Sequence, residues 1–170
     1  MIKIKNPFAS IPEHKCFCCS PNNPIGLKLD FWYDEENQTV QTEWNPIEFL
    51  QGYPNVLHGG IQSTLMDEVA SWAVYILLQT GGVTSKMEIK FLKPVLISNG
   101  KITIKASLIN QEKRLANIRT ELYDGKNELC AEGVVQYFTY PKEVAIKKLN
   151  YPGINEFLEY LILVFIMLAP

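Results

Sequence analysis

One long stretch of the chain carries a helical pattern of apolar residues. Ile61, Leu65, Val69, Trp72 and Ile76 recur at spacings of four, four, three and four, which lays one apolar stripe along a helix from Gly59 to about Leu78. Gly81 and Gly82 end that pattern. Elsewhere the alternation has a period of two. Residues 27–33 predict a strand, residues 34–37 a turn, and residues 39–44 a second strand. Residues 45–57 contain Pro46, Gly52 and Pro54 and predict a loop. Four more strands are predicted at 83–91, 101–110, 115–123 and 129–140, with Asp124-Gly125 as a hairpin signal between the last two. Two strands, one helix and four strands make an α+β pattern, and short turns between the late strands predict antiparallel pairing. A helix of this length, apolar over much of its surface, calls for a curved sheet wrapped around it.

The 170 residues are 47% hydrophobic and 20% charged, enough for one globular domain with a substantial core. The net charge is −2 and the sixteen Lys and Arg are scattered, so no basic stripe suits a nucleic acid. The first residues carry charges with no apolar run behind them, which argues against a signal peptide and for a cytoplasmic location. Residues 1–26, rich in Pro, Asn and Cys, read as an irregular N-terminal segment. Residues 27–141 read as the domain. Residues 142–170 read as a C-terminal extension with an apolar helix, in which Glu159 is the only charge between 157 and 169. That run is too short for a bilayer span, which takes about twenty apolar residues.

Three of the four cysteines, Cys16, Cys18 and Cys19, crowd together just after His14, while Cys130 stands in a predicted strand. Cys16 and Cys19 have the spacing of one metal-ligand pair, but the sequence offers no convincing second pair. The expectation is therefore reduced thiols and no metal.

Candidate chemistry lies where the helix begins. His58-Gly59-Gly60 is followed nine residues after the histidine by Asp67. Glycines admit close approach of a ligand to the backbone, and a helix start offers unpaired N–H groups with partial positive charge. Such donors suit a carbonyl oxygen that becomes negative during acyl transfer. Asp67 is the candidate base, with Glu68 as second choice. Nine helical residues rise about 13 Å and turn about 180°, so Asp67 cannot meet His58 or Gly60 of its own chain. One reaction using both ends needs two chains about a twofold axis. The helix face around Asp67 carries Ser63, Ala70, Ser71 and Val74, small enough to leave room for a ligand or a partner helix.

These features together resemble the hotdog-fold thioesterases, especially the phenylacetate-pathway type, over roughly residues 16–140. The resemblance is carried by Cys16-Phe17-Cys18-Cys19 with Asn23-Pro24-Ile25-Gly26-Leu27, by the run from Gln51 to Gly60, and by Lys90-Phe91-Leu92-Lys93-Pro94-Val95. It implies a hotdog fold, in which a curved antiparallel sheet wraps one long central helix. It implies hydrolysis of thioesters of coenzyme A or acyl carrier protein by a homodimer or a dimer of dimers. No cofactor is implied; coenzyme A enters as part of the substrate. Residue by residue, Gly60 with Gly59 beside it would polarise the thioester carbonyl, and His58 would orient the loop or contact the thioester. Asp67 would act as nucleophile or base, and Thr84 would help position water. Where many members carry Asn, six residues before the His, this chain has Gly52; Gln51 or Asn55 would then supply the second polar contact. Two other readings stay open at this point: a hydroxyacyl-thioester dehydratase, and a binder of acyl thioesters without catalysis.

Overall fold

The computed structural model describes residues 1–158. In chain order its elements are β1 (Ile2–Ile4), β2 (Phe31–Asp34), β3 (Thr39–Trp44), β4 (Gln51–Tyr53), β5 (Val56–Leu57), α1 (Gly59–Leu77), β6 (Gly82–Phe91), β7 (Ile102–Glu112), β8 (Leu115–Tyr123), β9 (Leu129–Thr139) and α2 (Lys142–Leu149). Seven strands form one antiparallel sheet in the order β1-β2-β3-β7-β8-β9-β6, and β4 pairs with β5 apart from it. The sheet curves around α1, which touches β3, β6, β7, β8 and β9. This is the curved sheet around one helix that the apolar pattern called for, and the hotdog arrangement that the resemblance implied.

The core explains the curvature. Leu65, Val69, Trp72 and Ile76 of the predicted stripe are buried, and so are Met66, Ala70, Ala73 and Val74. A helix apolar over so much of its circumference cannot be satisfied by a flat sheet. Trp72 stacks on Phe31 of β2, with ring centroids 4.1 Å apart and planes 13° from parallel. Phe157 meets Trp72 edge-on and lies nearly parallel to Tyr75, so residues just beyond α2 close the far end of the helix. The helix stops at Leu77, and Gln79 takes a left-handed φ of 51° before β6 begins.

Three local differences from the sequence reading have physical causes. The strand expected at 27–33 begins only at Phe31, because Lys28 has φ 54° and breaks the extended run. The amides of Leu27 and Leu29 bond instead to the carbonyls of Phe17 and Cys18, tying the N-terminal segment to the domain. That segment is less irregular than expected, since β1 pairs with β2. The loop before the helix contains the small β4–β5 ribbon. In the C-terminal extension four of the eight residues of α2 are charged, and Ala145 is its buried residue. Phe157 and Leu158 are buried, and the rest of the expected apolar helix lies outside the described residues. Among the described residues no helix is long and apolar enough to cross a membrane.

Candidate active site

The His-Gly-Gly run opens α1, as expected, but its hydrogen bonds divide the two glycines. His58 is the N-cap residue, and its Nδ1 accepts from the Gly60 N–H at 2.9 Å. An imidazole nitrogen here does what a Ser or Asp oxygen does at most helix starts. With Nδ1 accepting, neutral His58 carries its proton on Nε2 and offers that group outward. A Cβ at residue 60 would sit 3.0 Å from Nδ1, so glycine makes room for the cap. Gly52 does the same from the other side: a Cβ there would lie 3.3 Å from His58 Cδ2. The glycine at the usual Asn position thus accommodates the ring.

The cap also distinguishes the two glycines as donors. The Gly60 N–H is already engaged, whereas the Gly59 N–H donates to nothing among the described residues. Gly59 is the first helical residue, whose amide has no intrahelical partner. Phe91, the last residue of β6, covers this position; a Cβ at residue 59 would lie 3.5 Å from its ring edge.

Further along α1, Asp67 is half-buried and held by two hydroxyls. Thr84 of β6 donates to Asp67 Oδ1 at 2.8 Å. Tyr137 of β9 lies 2.7 Å from the same oxygen and 2.8 Å from the Asp67 carbonyl. Burial, and then the charge of Asp67, push the Tyr137 phenol well above its usual range, so it stays a donor. Oδ2 has no protein partner among the described residues, which leaves one carboxylate oxygen free to act. A bulge between Thr84 and Lys86 sets the parity of β6: Thr84 faces the helix, Lys86 the other side, and Met87 packs against the core.

Glu68 points elsewhere. Trp72 Nε1 donates to its Oε1 at 2.9 Å, and Cys16 Sγ lies 3.7 Å from each carboxylate oxygen. Burial, with the neighbouring Cys16 next, raises its pKa to about 7. Adjacent residues on a helix project about 100° apart. Asp67 therefore faces β6 while Glu68 faces the cysteines of the N-terminal segment.

The remaining candidates are placed as follows. Asn55 is spent on structure: its amide donates to Ser98 Oγ and accepts from the Ser98 N–H. Gln51 Oε1 accepts from the Asn55 N–H. Both hold the loop before the helix. Ser71 lies half-buried one turn beyond Asp67, beside the Tyr75 phenol that burial pushes up to about 12. A groove of about 510 Å³ opens on the sheet face turned away from α1, lined by Lys86, Glu88, Asn117, Arg119, Glu132 and Gln136. It contains none of the candidate site residues. Within one chain, therefore, the structure gathers two separate clusters: His58, Gly59 and Phe91 at the helix start, and Asp67, Thr84 and Tyr137 beyond it.

Comparison with known proteins bears on the family and the fold. The family model of the thioesterase superfamily matches residues 54–131. The chain is 33% identical over 119 residues to "Putative esterase SSO1253" of Saccharolobus solfataricus, covering 69% of this chain and 76% of that protein. A Sulfurisphaera tokodaii protein named as an esterase of the same kind is 33% identical over 62% of this chain and 68% of its own length. Among solved structures, thioesterase HI1161 of Haemophilus influenzae superposes with TM-score 0.63 at 21% identity, covering 72% of this chain and 85% of that one. A Bacillus halodurans protein, BH2602, solved with CoA, gives TM-score 0.59 at 22% identity over 68% of this chain and 76% of that one. A matching family model across the helix and its flanking strands, relatives at 33% identity and a shared fold lead to one conclusion: this chain belongs to the thioesterase superfamily and is a thioester hydrolase of the hotdog fold.

Proposed function

We propose that the protein hydrolyses acyl-CoA thioesters in sites shared between two copies of the chain. The Gly59 N–H of one protomer stabilises the oxyanion, and Asp67 of its partner supplies the base or nucleophile. The observation that carries this reading is the carboxylate of Asp67, with Oδ1 fixed by Thr84 and Tyr137 and Oδ2 free. As base, Oδ2 takes a proton from water while the water oxygen attacks the thioester carbonyl. As nucleophile, Oδ2 attacks the carbonyl itself, and water then cleaves the resulting anhydride. In either course the carbonyl electron pair moves to oxygen, where the Gly59 N–H and the positive end of α1 meet it. Collapse of the tetrahedral intermediate expels the thiolate of coenzyme A. His58 Nε2–H, facing outward beside Gly59, positions the thioester.

The case for a shared site rests on β6. Its inner face touches both clusters, Asp67 through Thr84 and Gly59 through Phe91. Its second edge has no partner among the described residues. A free edge of ten residues invites pairing with another strand. Antiparallel pairing of two β6 strands about a twofold axis at Glu88 sets Met87 opposite Ile89 and Lys86 opposite Lys90, and the extra residue of the bulge then sets Thr84 of one chain opposite Phe91 of the other. Each Asp67 then approaches the partner's Gly59. The exposed apolar side chains at this edge, Val83, Phe91 and Leu92, are 44%, 52% and 49% exposed and would be covered in such a dimer. For the substrate, support comes from fold relatives solved with CoA and with acetyl CoA.

The test is a mixed dimer. Asp67→Asn removes the base and keeps the Oδ1 acceptor, so the variant folds and loses about 10²–10⁴-fold in kcat. Gly59→Pro removes the oxyanion donor. A heterodimer of the two variants has one doubly defective site and one intact site. Purified mixed dimers are expected to recover close to half the wild-type activity in a free-thiol assay with acyl-CoA. Folded mixed dimers as inactive as both parents would rule out the shared site, and an Asp67→Asn homodimer with normal turnover would rule out the base.

A further inference from the structure

We propose that His14, Cys16, Cys19 and Glu68 form a four-donor site for zinc, or a similar thiophilic divalent cation, that fastens the N-terminal segment to α1. Two of these donors lie outside the Cys pair that the sequence could show, and the fourth comes from the central helix.

The turn from Cys16 to Cys19 is shaped around a sulfur. The N–H groups of Cys18 and Cys19 both point at Cys16 Sγ, at 3.3 and 3.4 Å. Two backbone donors on one sulfur suit a thiolate, the form in which cysteine binds metal. The donor atoms of His14, Cys16 and Cys19 lie within 4.8 Å of one another. His14 Nε2 is 3.8 Å from Cys19 Sγ, and Cys16 Sγ is 3.7 Å from both Glu68 oxygens. Tetrahedral zinc with Zn–S of about 2.3 Å and Zn–N or Zn–O of about 2.0–2.1 Å has sulfur-to-nitrogen and sulfur-to-oxygen edges of roughly 3.6 Å. The His14–Cys19 and Cys16–Glu68 separations are close to those edges, and Glu68 joins the three clustered donors through Cys16. Cys16 Sγ faces the fork of the Glu68 carboxylate, equally far from both oxygens.

The surroundings favour a cation over thiols alone. Cys19 is 5% exposed, and Glu68 has one directed N–H donor, from Trp72. A half-buried carboxylate with so little support gains from a nearby positive charge or a coordinated metal. His14 is held in place by its stack on Phe8, with centroids 5.3 Å apart, and by Ser20 Oγ, which donates to the His14 carbonyl at 2.7 Å. Two sulfurs, one imidazole and one carboxylate select zinc-like ions over magnesium or calcium. Cys18 does not belong to the cluster of donor atoms. Four protein donors close the coordination sphere, so the centre is structural and takes no part in hydrolysis. The proposal stands whether or not Asp67 is the base.

The test uses the full chain, purified without a metal-affinity tag under reducing conditions. Elemental mass spectrometry is expected to find about one zinc per chain, or the reduced metal-free protein to take up about one Co(II). Cobalt is expected to show thiolate charge-transfer absorption in the near ultraviolet and tetrahedral bands in the visible. Cys16→Ser and Cys19→Ser should each lose the metal. Because either variant could fail to fold, His14→Gln and Glu68→Gln provide a second reading: the charge-transfer band stays while the visible bands shift. Folded, reduced protein that holds no zinc and gives no cobalt–thiolate band overturns the site. So does a Cys16–Cys19 disulfide in metal-free protein, or a cobalt spectrum unchanged by both Gln variants.

Discussion

Replacing Gly59 by proline isolates one atom of the proposed chemistry. The Gly59 N–H makes no bond within the chain, so the fold loses no hydrogen bond when it is removed. Proline is well suited to the first position of a helix. His58, which precedes it, has φ −58° and ψ 135°, the extended conformation that a residue before proline requires. The added Cβ meets Phe91 at 3.5 Å, an ordinary contact. Fixing φ also restricts the unfolded chain, an effect of about 0.4–1 kcal/mol in favour of folding. Stability is therefore expected to change by no more than about 1 kcal/mol in either direction. The oxyanion, by contrast, loses its donor. Removing one such donor costs about 10²–10³-fold in kcat, equivalent to about 2.7–4 kcal/mol of transition-state stabilisation. KM should move little, because the ground-state carbonyl depends less on the donor than the oxyanion does. The assay is free-thiol release from an acyl-CoA, run beside a denaturant melt. A folded Gly59→Pro protein with wild-type turnover would refute the assignment and return the role to another donor.

Two further outcomes follow from named contacts. Tyr137→Phe leaves Asp67 Oδ1 with Thr84 alone; kcat is expected to fall roughly 10–100-fold, the scale of one hydrogen bond to a charged group, with KM nearly constant. The same change should add nothing on an Asp67→Asn background, and an additive loss there would show a structural role instead. Trp72→Ala removes the side chain that stacks on Phe31 and is 1% exposed, so unfolding in denaturant should show a loss of about 3–5 kcal/mol.

The helix and the late strands were legible because burial writes period 3.6 or period 2 directly into the chain. The stripe from Leu65 to Ile76 is buried as spaced, and β8 has the predicted bounds. Lys28 was not legible: alternation continues through it, and nothing in a lysine announces a left-handed backbone. At the candidate site, His58 and Asp67 were singled out by their spacing at the helix start and Thr84 by the family resemblance, and the structure brings the last two together. Tyr137 was missed. Its place in an alternating strand predicted an inward face, and a buried phenol needs a partner, but only the fold reveals that the partner is Asp67. The choice between Gly59 and Gly60 depended on which amide the imidazole takes, a matter of side-chain geometry that spacing does not encode. His14 and Glu68 likewise stand more than fifty residues apart in sequence and meet the same cysteines only through the packing of the N-terminal segment on α1.

The adjacency of Asp67 and Glu68 makes α1 a keyed shaft. A one-residue change of length upstream would turn the helix by about 100°: a deletion would put Glu68 in the seat of Asp67 and Val69 in that of Glu68, and an insertion would put Met66 and Asp67 there instead. Both ends of the helix guard against that: the imidazole cap fixes the first turn, and the Trp72–Phe31 stack fixes the angle four turns on. Length changes in this protein are thus tolerable in its loops but not between residues 58 and 72, where rotation rather than burial sets the limit.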